Sequence, residues 1–308
     1  MTAAVTLPPS LTVIERGWLS SNNIVFDDGG AASVVDTGYA SHSPQTVQLV
    51  RAALAGKRLT RIINTHMHSD HVGGNAALQA AFGASILVPS GQAQAIEQWD
   101  EEALSYTPMA QFCPRFQFDA VFEPNAQLEL GGLAWQVVAA PGHDAHMVVL
   151  YNDEERILIS ADALWEDGFG AIFPEIEGRS GFAEERAVLE WIARTKPRIV
   201  IPGHGRPFVE VSAALDRAMG RLEALSTSPE RNARHIAKVM VKFLLLELRS
   251  IPVSDLIGRL TPTRYLQALQ ARYFPDRTGA AVIERAVAEL VAAGAVVRNG
   301  DRVENFDV

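Results

Sequence analysis

The chain has 308 residues, of which 48% are hydrophobic and 20% charged, so it can bury a large core and is not expected to be disordered. Its 27 basic and 36 acidic residues give a net charge of −9, which argues against a dedicated polyanion-binding protein. The single cysteine, Cys113, excludes a disulfide framework and a cysteine-rich metal cluster.

The first residues, Met1–Pro9, contain neither the basic stretch nor the apolar stretch that is typical of an export signal. No run in the sequence approaches the roughly 18 apolar residues of a membrane span. We therefore expect a cytoplasmic protein that makes no membrane contact.

The first two thirds of the chain are predicted to consist of strands and helices joined by tight turns. Residues 92–118 show no clear periodicity and are predicted to form a surface excursion. One predicted helix begins at Ser43-Pro44 and stops at Gly56, a second follows Gly73-Gly74 and ends at Phe82, and a third covers Ala183–Arg194. The predicted strands are Leu11–Glu15, Asn23–Phe26, Ala31–Val35, Thr60–Asn64, Ile86–Val88, Leu128–Leu130, Trp135–Ala139, Met147–Tyr151, Arg156–Ser160 and Arg198–Pro202.

The last part of the chain is predicted to be helical and to end in a hairpin. Thr278 is a suitable N-cap for the last helix, and Asn299-Gly300 favours a type I′ turn between strands 296–298 and 301–303. Helices followed by such a hairpin are typical of a winged helix. The predicted helices are Ser212–Leu225, 228–249, Val253–Arg259, Thr263–Tyr273 and Ala280–Ala293.

The charge is distributed unevenly along the chain. Residues 1–210 carry 13 basic and 25 acidic side chains, a net charge of −12, whereas residues 211–308 carry 14 basic and 11 acidic side chains, a net charge of +3. Near residue 208 the predicted elements also change from strands to helices. We therefore predict two domains, 1–208 and 209–308.

The strongest chemical signal is the pattern H-x-H-x-D-H at residues 66–71, directly after a predicted strand. Side chains two residues apart in an extended segment point the same way, so His66 and His68 can converge on one cation. Asp70 and His71, on the following turn, can reach a second point nearby. Imidazoles together with a carboxylate suit Zn, Fe, Ni and Cu and can leave room for a bound water.

Three further candidate ligands also follow predicted strands. His143 lies in a Pro-Gly-His-Asp segment, His204 in a Pro-Gly-His-Gly segment, and Asp162 just after strand 156–160. Each alone is ambiguous, since a histidine beside glycine is most often a turn residue and an aspartate after a strand is most often an N-cap. Together they lie where the ends of several strands can meet at one edge of a sheet sandwich.

The order and context of these residues resemble the metallo-β-lactamase superfamily, and within it the glyoxalase II-like and lactonase-like hydrolases. The resemblance covers about residues 11–208 and includes Asp36 in a Val-Val-Asp-Thr-Gly segment. It implies an α/β fold, a four-layer αβ/βα sandwich, followed by a smaller, helical, winged-helix-like C-terminal domain.

The resemblance also implies a site for two divalent metal ions, of which Zn²⁺ is the expected one and Fe or Mn are alternatives. A metal-bridging hydroxide would attack an ester, thioester or lactone carbonyl, and Asp70 would be the catalytic residue that accepts a hydrogen bond from it. Asp36 would orient a ligand without touching metal. The implied ligands are His66, His68 and His143 for the first ion, Asp70, His71 and His204 for the second, and Asp162 as the bridge.

Some features depart from the family pattern. Many relatives carry a further histidine four residues after the third one, whereas His146 follows His143 by three, and we expect His146 to support a ligand or to pack in the core. Trp165, Phe169 and Phe173 follow the bridging aspartate and are predicted to line the substrate mouth, with ordinary packing as the alternative. The basic residues that hold glutathione in glyoxalase II have no assignable counterparts here, so a glutathione thioester is not assigned. The presence of the bridging aspartate and the expected lack of a leader argue against antibiotic hydrolysis.

Other functions remain open at this point. One helix face carries four basic residues, Arg231, Arg234, Lys238 and Lys242. A nuclease or phosphodiesterase could use this face to bind nucleic acid, and another enzyme could use it to bind an anionic substrate. A solvated helix face is the favoured interpretation. A mononuclear iron persulfide dioxygenase is a further alternative, as is a DNA-reading winged helix with a metal sensor. We expect a small carbonyl substrate as the partner, regard nucleic acid as unlikely, and leave a homodimer open. Cys113 has no histidine near it in sequence and is interpreted as structural.

Overall fold

Two β-sheets face each other across an apolar core in the computed structural model, which describes residues 5–306. The ends of the two predicted domains, 1–4 and 307–308, lie outside these residues. The first sheet has six strands in chain order, β1 Leu11–Ile14, β2 Asn23–Asp27, β3 Ala31–Val35, β4 Arg58–Ile63, β5 Ser85–Pro89 and β6 Ala120–Phe122. The second has five strands in the order β11-β10-β9-β8-β7, namely β11 Ile199–Pro202, β10 Ile157–Ala161, β9 Val148–Asn152, β8 Leu133–Ala139 and β7 Gln127–Leu130.

The direction of the strands determines where their ends meet. β1, β2 and β3 form an antiparallel meander, and β3 to β6 then run parallel to one another. In the second sheet β7 to β10 are antiparallel, and β11 lies parallel to β10. The carboxyl ends of β3 and β4 therefore share one edge, as do those of β10 and β11. The loops that leave β4, β10 and β11 carry six of the seven candidate ligands, and Asp36 follows β3. The seventh, His143, follows β8, whose carboxyl end lies at the same edge as that of β10 because both strands are antiparallel to β9.

Helices cover the outer face of each sheet, which confirms the predicted four-layer αβ/βα sandwich. On the first sheet lie α1 Ser43–Ala53, α3 Asn75–Phe82 and α4 Ala93–Gln98, while the four-residue helix α2 Ser69–Val72 lies at its edge. On the second sheet lie α5 Phe182–Thr195 and α6 Val211–Ser226.

The core between the sheets is formed by the inward-facing side chains of both. Trp135 is fully buried, its ring packs edge to face on Phe26 with centroids 5.4 Å apart, and its Nε1 donates to the carbonyl of Leu130 at 3.1 Å. The indole therefore contributes apolar contact without leaving an unpaired donor in the core.

The C-terminal unit contains the predicted helices and packs around an apolar core to which Met109, Ala171, Phe173 and Ile176 of the sandwich also contribute. The helices are α7 Pro229–Leu248, α8 Val253–Leu260, α9 Arg264–Tyr273 and α10 Gly279–Ala292, with β12 Ser250–Pro252, β13 Val296–Asn299 and β14 Arg302–Asn305. Helices followed by a hairpin were predicted correctly, but the type I′ turn is wrong. The loop is Gly300-Asp301, and only Gly300 has a positive φ, whereas type I′ requires it at both central residues. β12, three residues long, was too short to detect in the sequence.

The packing of α6 and of residues 92–118 differs from the sequence-based expectations. Helix α6 packs on the second sheet and on α5 rather than in the C-terminal core. This packing favours a division of the chain at the junction of α6 and α7. The domain boundary near residue 208 stays a prediction. Residues 92–118 are not a detached excursion, because Leu104, Cys113 and Phe116 are buried in the core of the first sheet. Within residues 5–306, no helix is both long and apolar enough to span a bilayer.

Replacing Trp135 by Ala is expected to lower the free energy of unfolding by about 3–5 kcal/mol, because it removes a large buried ring and leaves a cavity between the sheets. Urea denaturation followed by far-ultraviolet circular dichroism measures this. Val121, which is 45% exposed on β6, is the control, and Val121→Ala should change the free energy by less than about 0.5 kcal/mol. Equal effects of the two substitutions would contradict the described core.

Candidate metal centre

The turn that carries the histidine-rich motif is held by a buried polar network. Thr37 Oγ1 donates to Asn75 Oδ1 at 2.8 Å, and Asn75 Nδ2 donates to Asn64 Oδ1 at 2.8 Å. The backbone amide of Thr37 donates to the carbonyl of His71 at 2.7 Å. These bonds tie the end of β3, the end of β4 and the start of α3 to one another, so the residues between them have a fixed position.

Three imidazoles form the first group of candidate ligands. His66 Nε2 lies 3.1 Å from His68 Nδ1, which lies 2.8 Å from His143 Nε2. His66 and His143 are buried, while His68 is half-buried. His143 Nδ1 donates to the carbonyl of Ala171 at 2.6 Å, which leaves its Nε2 unprotonated when the ring is neutral and directs that lone pair at the group.

The second group combines two imidazoles with two carboxylates. His204 Nε2 lies 3.1 Å from Asp70 Oδ2, and His71 Nε2 lies 3.4 Å from Asp162 Oδ2. The same oxygen of Asp162 is 3.3 Å from His143 Nε2, in the first group. Asp162 therefore lies between the two groups, as the sequence resemblance implied for a bridging residue.

The donor atoms present fit metal ions. His71 Nε2 is buried and has no hydrogen-bond partner within the described chain, although it points at carboxylates, and a buried polar atom of this kind requires a partner. Nitrogen ligands about 2.0–2.1 Å from one tetrahedral ion lie roughly 3.3 Å apart, so the spacing of His66, His68 and His143 needs only a small expansion. The histidine and aspartate donors in this fold indicate divalent metals.

Burial and neighbouring charges set the protonation of these groups. Burial, with the neighbouring His68, lowers the pKa of His143 to about 4, and burial with His71 and His68 lowers the pKa of His66 well below its usual value. Both rings are therefore neutral near pH 7, as metal ligands must be. Burial opposes ionisation of Asp162, but the imidazoles of His71 and His204 outweigh it and hold the pKa of this carboxyl well below its usual range.

Asp36 positions His71 from behind. Its Oδ2 accepts a hydrogen bond from His71 Nδ1 at 2.7 Å, and its two oxygens accept from the amide and the hydroxyl of Thr65 at 2.9 and 2.8 Å. Burial would lower the pKa of His71, but the carboxylates of Asp162 and Asp36 raise it well above its usual value. Asp36 adopts a φ of 56°, a left-handed conformation that aspartate tolerates better than most residues and that directs its carboxylate into the site.

Backbone contacts bring the loops of the two sheets together. The amide of Ser21 donates to the carbonyl of Asp70, and the amide of Asn22 donates to the carbonyl of Gly203. A Cβ at Gly203 would lie 2.3 Å from Asp162 Oδ1, so this position must be glycine for the loop of His204 to approach the carboxylate.

A cavity of about 460 Å³ opens over both groups, between the sandwich and the C-terminal helices. Trp18 is 59% exposed at its mouth, stacks on His204 with ring centroids 5.7 Å apart, and packs edge to face on Trp165. Trp165 Nε1 donates to Asp162 Oδ1 at 3.2 Å. Phe173 lines the cavity beside His68.

The structure brings all seven predicted ligands together, with Asp36 behind them, but it contradicts two other expectations. Phe169 is fully buried in the core of the second sheet and does not line the cavity, because its ring packs under α6. His146 is solvent-exposed and lies against Gly91, so it neither packs in the core nor supports a ligand. Sequence reasoning missed Trp18 and Arg221, which line the cavity from a loop and from α6; no motif or spacing marks either position.

Metal-binding histidines and aspartates at the strand ends of a four-layer sandwich define a class of divalent-metal proteins. A sequence model of the metallo-beta-lactamase superfamily matches residues 16–204. This match covers more than half of the chain, and the chain belongs to the metallo-beta-lactamase superfamily.

Curated relatives and a solved structure extend this comparison. The chain is 30% identical to a hydroxyacylglutathione hydrolase of Acidiphilium cryptum over 57% of this chain and 60% of that protein. It is 33% identical to a hydroxyacylglutathione hydrolase of Anaeromyxobacter dehalogenans over 46% of this chain and 45% of that protein. The matched part thus spans 60% or less of these relatives. A metallo-beta-lactamase family protein of Thermus thermophilus has the same fold, with a TM-score of 0.55, 19% identity, and coverage of 98% of this chain and 100% of that one.

Cys113 is expected to be unreactive in the folded protein. Burial raises the pKa of its thiol to about 12, so the thiolate is scarce at pH 8. A disulfide reagent at pH 8 should modify no thiol in the native protein and one after denaturation. Rapid modification of the native protein would contradict the position of Cys113 in the core.

Proposed function

We propose that this protein is a dinuclear metal-dependent hydrolase that cleaves an ester, thioester or lactone carbonyl. The observation that carries the proposal is the position of Asp162 Oδ2, 3.3 Å from His143 Nε2 and 3.4 Å from His71 Nε2. One carboxylate between two sets of ligands favours two ions rather than one.

The roles of the residues follow from these positions. His66, His68 and His143 would hold one ion, Asp70, His71 and His204 the other, and Asp162 would contact both. When bound, such ions lower the pKa of water and polarise a carbonyl. Zinc is the proposed metal because imidazole and carboxylate donors suit it, and iron or manganese are the alternatives.

Residues around the ligands would orient water and substrate. The carboxylate of Asp70 is half-buried and faces the cavity, so it can accept a hydrogen bond from an attacking water and fix the direction of its lone pair. Asp36 keeps His71 in one orientation, and the carbonyl of Ala171 does the same for His143. Trp18 and Phe173 offer apolar surfaces on either side of the metal groups.

Two observations favour this proposal over the alternatives. The buried, unpaired Nε2 of His71 supports a second set of ligands, which a mononuclear iron site does not need. The cavity volume of about 460 Å³ is that of a small-molecule site, and Phe243, Leu246 and Leu290 give its wall on α7 and α10 an apolar part. A cytoplasmic location and a homodimer stay predictions.

Metal analysis and a substrate panel test the proposal. Protein purified without added metal should contain two divalent ions per chain. In a panel of an aryl ester, a lactone, an acyl thioester and bis(4-nitrophenyl) phosphate, it should hydrolyse one or more of the three carbonyl compounds. Activity should disappear with a chelator and return with zinc. A single iron per chain, or cleavage of the phosphodiester alone, would overturn the assignment.

Replacing Asp162 by Ala is expected to abolish hydrolysis and to lower the occupancy of both metals, because the bridging carboxylate is removed. Asp153→Ala, at an exposed turn between β9 and β10, is the matched control and should retain both metals. Mass spectrometry of the native protein measures occupancy. Full activity of the Asp162 variant would contradict the bridging role.

A further inference from the structure

The cavity wall opposite the metal groups carries basic side chains. Lys238 and Lys242, on α7, both line the cavity and are half-buried, so the solvated helix face expected from the sequence is wrong for these two residues. Lys238 Nζ lies 3.4 Å from Glu289 Oε2, and Lys242 Nζ donates to the carbonyl of Ala295 at 2.7 Å. The apolar cavity therefore has a basic side, although the protein as a whole is acidic.

Arg221 is a cation of this wall that forms no ion pair with a described carboxylate. It lies on α6, is half-buried, and has no carboxylate oxygen of residues 5–306 within 4 Å. Its Nη2 donates to His235 Nε2 at 2.9 Å, and its guanidinium lies over the ring of Phe169, 5.0 Å from the centroid. Burial, together with Arg221 and Lys238, lowers the pKa of His235 to about 3, so this ring is neutral and does not compensate the guanidinium charge.

Arg221 lies close to the metal groups. A Cβ at Gly168 would lie 2.6 Å from Arg221 Nη1, and a Cβ at Gly170 would lie 2.4 Å from His143 Nδ1. Residues 168–170 thus lie against the guanidinium of Arg221 at one end and against His143 at the other. A small molecule in the cavity can reach both.

A half-buried guanidinium that faces a cavity and has no carboxylate of residues 5–306 within 4 Å can form a charge-assisted pair with an anionic group of a ligand. Glu185 acts on Arg221 only from beyond the 4 Å of an ion pair. The guanidinium fork matches a carboxylate in two parallel hydrogen bonds. The cavity volume of about 460 Å³ is typical of a small-molecule site, which commonly lies between roughly 300 and 1,000 Å³.

We propose that the substrate is a carbonyl compound with a short apolar body and a terminal carboxylate, and that Arg221 binds this carboxylate while the carbonyl lies at the metal groups. The carbonyl part of this inference rests on the proposed hydrolase function. The carboxylate part rests on Arg221 and the wall of the cavity.

Binding of ketones, which cannot be hydrolysed, tests the carboxylate part alone. The metal-loaded protein is titrated calorimetrically with 6-oxoheptanoate and with 2-heptanone, which differ only by a carboxylate in place of a methyl group. A charge-assisted pair contributes about 1.5–3 kcal/mol, so we expect the keto acid to bind about 10- to 100-fold more tightly. Arg221→Gln should remove this preference, Arg221→Lys should retain part of it, and Lys238→Gln should weaken it less.

Arg186→Gln is the matched control, since the side chain of Arg186 is 42% exposed, does not line the cavity and pairs with Glu223 on α6. It should leave the preference unchanged. A preference that survives Arg221→Gln would place the carboxylate on the metals and overturn the inference, as would equal binding of the two ketones. Thermal unfolding shows whether each variant folds. If Arg221→Gln does not fold, the preference measured for Arg221→Lys and Lys238→Gln decides the test.

Hydrolysis of a matched ester pair separates this inference from the proposed function. Mono-4-nitrophenyl adipate should have a kcat/KM about 10-fold or more above that of 4-nitrophenyl hexanoate in the wild type, and Arg221→Gln should lower only the adipate value. Hydrolysis of both esters at equal rates would overturn the inference and leave the function standing. Selective binding of the keto acid without hydrolysis of either ester would overturn the function and leave the anion site standing.

Discussion

The structure depends on one electrostatic constraint, the burial of Asp162 among imidazoles where the two sheets meet. A carboxylate in such a place is costly unless cations or donors surround it. His71 and His204 hold the pKa of this carboxyl low, and His143 approaches it from the other side. These residues come from four different loops. The loops must therefore converge accurately, and the strand order of both sheets serves that convergence.

Local strain is found where the convergence demands it. Ala161, directly before Asp162, has a φ of 46°, and the register of β10 against β11 shifts at the same point. Asp36 is also left-handed. Non-glycine residues in this conformation cost free energy and persist only where surrounding contacts determine them. Here the contacts are those of the site: Thr65 and His71 on Asp36, and the indole of Trp165 on Asp162.

The sequence predicted the parts of the site that depend on short-range rules. The H-x-H-x-D-H pattern has direct geometric meaning at a strand exit, whereas the layers of the sandwich followed only from the resemblance to a known superfamily. It could not predict Arg221 or Trp18, because neither lies in a pattern and their roles arise from contacts between distant segments. It also placed Phe169 in the mouth, although an aromatic residue after a strand can equally turn inward, and here it is fully buried. The same limit applies to α6, whose apolar face did not indicate which unit it covers.

The cavity is built from two separate parts of the chain. The sandwich provides the histidines and aspartates that determine reactivity, and α7 and α10 provide the wall that determines which molecules fit. Side chains such as Val239 and Leu246 on α7 line the cavity without being candidate ligands. Part of the selectivity in this architecture is therefore separable from the metal ligands, and exchanging side chains of α7 and α10 offers a way to redirect the protein toward longer or bulkier compounds.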